Sequence, residues 1–323
     1  MSNTLEAATL DATPLVGAPS FPSIRPGSLH AWSIAIRPRT LLVAISPVIV
    51  GAALGFERVG SIDFVAALLV LGAALLMQIA TNLQNDVGYT LRGADRGGAR
   101  IGLPRATAQG WLSIRQVRIG ILLVGVTAVA LGLLLTAYRG WPVLLIGAVS
   151  LLAALAYMGG PKPIAYTPFG ELTVFLFFGI VAVIGTDWVL TGGTGVVTVL
   201  AAAAIGSLAA AALAVNNHRD HEHDRSVTRR TFAVIHGEIG SGRLYSGLLM
   251  GPFVLLPGMA IGLHCATTLL PGVALPFALG LRRRFLRCHA GVALNAILFS
   301  TFRLELAFAL LLAGGALLTR ALH

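Results

Sequence analysis

The chain has 323 residues, 56% of them hydrophobic and 11% charged, with a mean hydropathy of +0.84. A soluble domain is nearer about 45–50% apolar and about a quarter charged, so an ordinary soluble globule is excluded. The formal charge of +10 does not point to nucleic acid, because the basic residues lie between apolar runs and not on a polar, base-reading face.

Residues 1–30 are rich in Ser, Thr, Pro, Ala and Gly and carry only Glu6, Asp11 and Arg25 as charges. They are expected to form a disordered tail, and without a basic n-region they are not expected to act as a cleavable signal peptide. Beyond the tail, apolar runs approach the roughly 20 residues that a helix needs to cross a bilayer. The hydropathy pattern predicts nine helices, near 36–56, 63–88, 113–137, 141–158, 169–190, 194–218, 243–263, 266–281 and 290–317. Together they make an all-α polytopic membrane protein with one domain over 31–323. The eighth span is short and interrupted by proline. Without it the count would be eight and the C-terminus would change sides.

With the N-terminus inside, 19 of the 23 basic residues fall in the inner segments, whereas Arg58, Arg139 and Arg320 lie outside and Arg303 lies within the last span. That asymmetry places the long loops in the cytoplasm. Cys265 and Cys288 have no CxxC spacing and read as unbridged small hydrophobes.

Acidic residues gather at two span ends. QIATNLQNDVGYTLRGAD (78–95) contains Asp86 and Asp95, and AVNNHRDHEHDR (214–225) contains Asp220, Glu222 and Asp224. Residues four apart share a helix face, so Asn82 stacks on Asp86, and Asn216 on Asp220 and Asp224. Asp95 joins Asp86 only if the chain leaves the helix, which Gly93 permits. Carboxylate and amide oxygens suit Mg²⁺, which takes one or two carboxylates and completes its shell with water and substrate phosphate. Arg92, Arg96, Arg100, Arg219 and Arg225 are placed to contact a diphosphate. A metal-clamped allylic diphosphate is a good leaving group, and the aromatic faces of Tyr157, Tyr166, Phe175, Phe177 and Phe178 can stabilise the resulting cation. The plainer alternative is that such acids are solvated loop residues and the phenylalanines face lipid.

Five stretches carry a resemblance: SIAIRPRTLLVAISPVIVGAAL, TNLQNDVGYTLRGADRGGARIGLPRA, AYMGGPKPIAYTPFGELTVFLFFGIVAVIGT, AVNNHRDHEHDRSVTRRTFAV and LNAILFSTFRLELAFALLLAGGAL. In this order, from about residue 32 to 317, the chain resembles the UbiA superfamily of intramembrane prenyltransferases, and within it the 1,4-dihydroxy-2-naphthoate polyprenyltransferases of menaquinone synthesis. The resemblance implies nine helices around a central cavity, with two Asp-rich motifs that bind Mg²⁺ and a polyprenyl diphosphate. It assigns Asn82, Asp86 and Asp95 to the first motif, and Asp220 and Asp224 to the second. It matches Arg37 to an Arg-Pro-x-Thr motif, Lys162 to a basic residue after Gly-Pro, and Arg229 to a position where relatives often carry lysine. The implied reaction joins a polyprenyl chain to dihydroxynaphthoate with loss of its carboxylate as CO₂. The setting it implies is a bacterial cell membrane with the site open to the cytoplasm.

One position departs from that pattern: Tyr89 stands where relatives usually have a third aspartate. A phenol titrates near about pH 10 and is a poor magnesium ligand at neutral pH, so the site must hold the metal with fewer acids or recruit Glu222. The change also leaves 4-hydroxybenzoate or homogentisate open as the acceptor. His218, His221 and His223 have a spacing compatible with zinc but read as polar bystanders. Arg303 and Glu305 read either as cavity-lining groups or as partners of another span. An ion-coupled transporter is the competing class. Such proteins place charges near the midplane on broken helices, whereas the acids here lie at one membrane surface.

Overall fold

Side-chain caps start α-helices at Leu29, Phe64, Ile114 and Phe232. The Ser28 hydroxyl accepts from the Ala31 N–H and opens α1 (Leu29–Ile36). A 3-10 turn at Pro38–Thr40 leads into α2 (Leu41–Val59), which Gly60 ends in the left-handed conformation. Asp63 accepts from the Val65 and Ala66 N–H groups and caps α3 (Phe64–Leu91). A reciprocal Ser113–Gln116 capping box begins α4 (Ile114–Arg139). Gly140, at φ 76°, allows the turn into α5 (Trp141–Met158).

The next crossing is composite: α6 (Gly170–Val174) widens into a π-helix at Phe175–Ile184 and continues as α7 (Gly185–Thr191). Then come α8 (Val196–Arg219), the short α9 (His221–Ser226) and α10 (Phe232–Gly262). A 3-10 stretch at Ala266–Ala274 runs into α11 (Leu275–Arg287), and α12 (Ala293–Leu322) closes the chain. This computed structural model describes residues 24–94, 102, 104–288 and 291–322, and no strand occurs among the described residues. Of the predicted tail, 1–23 lie outside the described residues. Residues 24–30 are placed against the bundle, with the Gly27 N–H bonded to the Trp111 carbonyl at 2.8 Å.

Eight helices among the described residues are long and apolar enough to cross a membrane. The predicted eighth span accounts for the difference from nine. Pro271 and Pro276 withhold backbone donors, so that segment is split between 3-10 and α geometry and no single long helix forms. It nevertheless runs from one end of the bundle to the other. Thr267 bonds the Gly315 carbonyl and the Thr319 hydroxyl at 2.9 and 2.6 Å, while Phe285 stacks on Tyr245 at 4.1 Å and lies 4.7 Å from His218. The C-terminal end of α12, where Arg320 meets Gly60, is therefore opposite the arginine-rich end. The predicted seventh span also differs, because α10 begins at Phe232 and breaks at Gly237 (φ 64°) before continuing.

Alanine-rich α8 forms the centre of the bundle, with Ala201, Ala204, Ile205, Leu208, Ala210 and Ala211 fully buried. Small residues let backbones approach closely where no solvent drives association. At the crossing of α8 with the π-helix, a Cβ on Gly179 or Gly206 would collide with the opposite backbone. On the outside, α4 and α5 present Leu122, Leu123, Val126, Leu145 and Leu152 to the surroundings. So much exposed apolar surface belongs against lipid.

Candidate active site

A cavity of about 510 Å³ opens between α2, α3, α4, α5, the π-helix and α8. Its walls are mostly apolar: Val48, Ala74, Leu133, Leu151, Phe177, Phe178 and Val181 all line it. Its polar lining includes Arg37, Thr40, Gln78, Asn82, Asn85, Tyr157 and Asn216. Arg37 has φ 56°, a left-handed conformation uncommon for a side-chain-bearing residue. Asn82 fixes the adjoining turn: its Nδ2 donates to the Ile36 carbonyl at 2.7 Å and to Thr40 Oγ1 at 2.8 Å. Asn85 was not singled out from the sequence. It lines the cavity with a buried Oδ1 that has no hydrogen-bond partner among the described residues. Its only sequence signal is that it lies one helical turn after Asn82.

Asp86 shares the helix with Asn82 as predicted, but its carboxylate turns to the loop that follows α3. It accepts from the Ala106 N–H at 3.0 Å, the Thr107 N–H at 2.8 Å and the Thr107 hydroxyl at 2.5 Å, and it is fully buried. A carboxylate has about four acceptor positions, so these three bonds leave one. The helix ends at Leu91 and Gly93 turns at φ 68°, as the exit for Asp95 requires. Asp95, Arg96 and Arg100 lie outside the described residues.

The second motif spans the junction of α8 and α9. The Asp220 N–H bonds the Asn216 carbonyl at 3.1 Å and the Asp224 N–H bonds the Asp220 carbonyl at 2.7 Å, so the predicted column survives the break between helices. Arg219 grips the neighbouring Asp220 through two bonds of 2.7 Å and donates to Asn295 Oδ1 at 2.5 Å. Arg229 donates to Asp224 Oδ1 at 2.5 Å and to the Ala165 carbonyl at 3.0 and 3.2 Å. Burial opposes the Arg229 charge, but Tyr89 and Asp224 outweigh it and raise the pKa, so the guanidinium is held ionised.

The two motifs meet. His223 Nε2 lies 2.6 Å from the Ala94 carbonyl, next to Asp95 in the chain. The Tyr89 ring has the Arg105 guanidinium carbon 3.3 Å from its centre and that of Arg229 at 4.8 Å. Tyr166 lies 6.4 Å from Tyr89, and Arg92 and Arg229 approach it at 5.4 and 5.5 Å. Burial pushes the Tyr166 phenol up, against the pull of Arg229, so it stays neutral. Where an aspartate was expected, Tyr89 thus joins an arginine of the first motif's loop to an arginine of the second. Tyr89→Phe, which keeps the ring, is expected to retain stability and activity. Tyr89→Ala is expected to lose about 1–2 kcal/mol of stability, measured by thermal unfolding in detergent.

Other predicted residues are more dispersed. Lys162 is exposed on the loop after α5, Glu222 and Arg225 are exposed on α9, and neither Tyr166 nor Phe175 lines the cavity. Arg303 is exposed, whereas Glu305 is fully buried with both carboxylate oxygens unpaired among the described residues, and neither lines the cavity. Glu171, buried at the start of α6, accepts from Asn217 at 2.9 Å. Among the described residues no group of three His, Cys, Asp or Glu side chains forms a ready-made metal cage. The donor chemistry still suits magnesium, which needs only one or two carboxylates and shares its shell with phosphate.

The model of the UbiA prenyltransferase family matches residues 44–307. The chain is 36% identical over 236 residues to the 1,4-dihydroxy-2-naphthoate octaprenyltransferase of Escherichia coli, covering 70% of this chain and 75% of that one. It is 31% identical over 296 residues to the enzyme of the same name from Mycobacterium leprae, covering 89% and 96%. Among solved structures, a UbiA homolog from Archaeoglobus fulgidus bound to GPP and Mg²⁺ superposes with a TM-score of 0.64 at 15% identity, over 90% of this chain and 99% of that one. The apo UbiA homolog from Aeropyrum pernix gives 0.63 at 17% identity, over 86% and 97%.

Proposed function

The chain belongs to the UbiA prenyltransferase family, and on that premise we propose that it transfers a polyprenyl group from its diphosphate to 1,4-dihydroxy-2-naphthoate. The acceptor carboxylate leaves as CO₂, and the step belongs to menaquinone synthesis. One observation carries the reading: the two acid-bearing helix ends converge through Tyr89, Arg229 and Asp224 beside a largely apolar cavity. A diphosphate needs the first of these features and a polyprenyl chain needs the second.

Magnesium would be held by Asp220 and Asp224 on one side and by Asp86 and Asp95 on the other, and when bound it supplies positive charge against the charge growing on the departing diphosphate. Arg219 and Arg229 neutralise and aim Asp220 and Asp224; by their positions in the sequence, Arg96, Arg100 and Lys162 are the further basic residues proposed to meet phosphate oxygens. Arg37, Asn85, Asn216 and Tyr157 border the polar part of the cavity, where the acceptor ring and its carboxylate would be oriented. Below them the apolar walls hold the polyprenyl chain and exclude water, so the allylic cation meets the aromatic carbon before it meets solvent. The ring faces of Phe177 and Phe178 are available to that cation. The distribution of arginines supports a site open to the cytoplasmic side of a bacterial cell membrane.

The test is product formation by the purified protein in lipid discs, supplied with a polyprenyl diphosphate and each candidate acceptor. Prenylated naphthol and CO₂ are expected with dihydroxynaphthoate, and addition of EDTA should stop both. Turnover unaffected by the chelator, or a preference for 4-hydroxybenzoate or homogentisate, would count against the assignment.

A further inference from the structure

A second cavity, of about 480 Å³, lies away from the first, between α10 and α11 at the arginine-rich end. Its lining includes Arg243 from α10 and Arg282 from α11, together with His218, Glu238, Ser246 and Phe285. Two arginines on separate helices thus face one space with a single carboxylate. Arg282 Nε is buried there without a hydrogen-bond partner among the described residues. A buried guanidinium donor left unpaired is costly, and an anion is what would satisfy it.

The rim distinguishes this pocket from one built for a soluble anion. Ile239 and Leu286 line it and are 74% and 46% exposed, which places apolar surface where acyl chains would lie. Arg283, Arg284 and Arg287 stand exposed on the same helix end, the arrangement that attracts an anionic leaflet. We propose that this pocket binds the phosphate headgroup of an anionic phospholipid. Arg243 and Arg282 bind the phosphate, and Glu238 and Ser246 accept from headgroup hydroxyls, which favours a polyol headgroup such as that of phosphatidylglycerol.

The pocket shares a wall with the second acidic motif. The His218 ring lies 4.7 Å from Phe285 on the pocket side, and the next residue is Arg219, which holds Asp220. A bound headgroup therefore steadies the turn that aims Asp220, and lipid composition sets the working rate. Binding stands independently of the proposed reaction, whereas the effect on rate rests on it.

The experiment uses the purified full chain in phosphatidylcholine discs with or without phosphatidylglycerol. Retained lipid is read by native mass spectrometry, and occupancy by the rate of maleimide labelling at Cys288, which lines the pocket. Wild type should retain phosphatidylglycerol and slow its Cys288 labelling. With about fivefold in binding from each arginine near the surface, the Arg243→Gln/Arg282→Gln double variant should bind roughly twenty-fivefold more weakly. Arg283→Gln/Arg284→Gln, on the same helix but outside the pocket, should weaken general attraction to the anionic leaflet and lose clearly less retained lipid than the pocket double variant. Equal retention by the pocket double variant, or an equal loss in the outer one, overturns the site. Inorganic phosphate that slows Cys288 labelling in phosphatidylcholine discs as strongly as the lipid does would overturn the lipid assignment. Phosphatidylglycerol should raise turnover in wild type but not in the pocket double variant. A rise in both would overturn the coupling.

Discussion

Asp220→Asn is expected to lower prenyl transfer by about a hundred- to a thousandfold, the usual cost of removing one fixed group that stabilises charge developing in a transition state, with a smaller loss of thermal stability than Asp220→Ala. The two effects separate because of how Arg219 is held. Its guanidinium makes two bonds to Asp220 and one to Asn295. An asparagine keeps one acceptor at the same place, so Arg219 is not left without partners, while the negative charge needed for a cation is gone. Steady-state turnover and unfolding temperature on the same preparation check both halves. Full activity in the variant would remove Asp220 from the proposed machinery. Asp220→Ala is the poorer probe, since Arg219 is buried and stripping one partner from a buried ion pair costs about 3–5 kcal/mol whatever the chemistry.

For Asp86→Ala the expected outcome is loss of both activity and stability. Its three accepted bonds tie the end of α3 to residues 106 and 107, about twenty positions along the chain. Removing the carboxylate leaves two buried backbone N–H groups and a hydroxyl without it, each at about 1–3 kcal/mol. A fall of about 3–5 kcal/mol in unfolding free energy is expected, visible as a lower melting temperature or poor accumulation in membranes. Asp86→Asn should recover part of the stability by keeping one acceptor oxygen, while activity stays low. A variant as stable as wild type but inactive would instead return Asp86 to the purely metal-binding role that its sequence position suggests.

The contrast between these aspartates shows where sequence reasoning stopped. Each follows an asparagine four residues earlier, Asp86 within α3 and Asp220 at the cap between α8 and α9, and both columns form. What each carboxylate faces is fixed only by packing: the 106–107 loop for Asp86, and for Asp220 the adjacent Arg219, whose guanidinium Asn295 of α12 holds in place. Asn85 was passed over for the same reason, because only the packing of neighbouring helices makes its side chain part of a cavity wall. From the sequence Tyr89 looks like a missing ligand, whereas the fold uses its ring between Arg105 and Arg229.

The spans themselves were legible, because a bilayer requires every backbone group to be satisfied within a long apolar helix, and that demand is written locally in the chain. The sequence by itself therefore determined that this is a polytopic helical membrane protein, roughly where the chain crosses, and which end gathers the acids and arginines. Only the tertiary structure decided that the proline-broken segment at 266–287 still completes a crossing, that α8 is the central helix, and which polar groups share a cavity. Hydropathy is a sum over neighbours along the chain. A site is a set of contacts between residues far apart in it, and those are fixed only when helices pack.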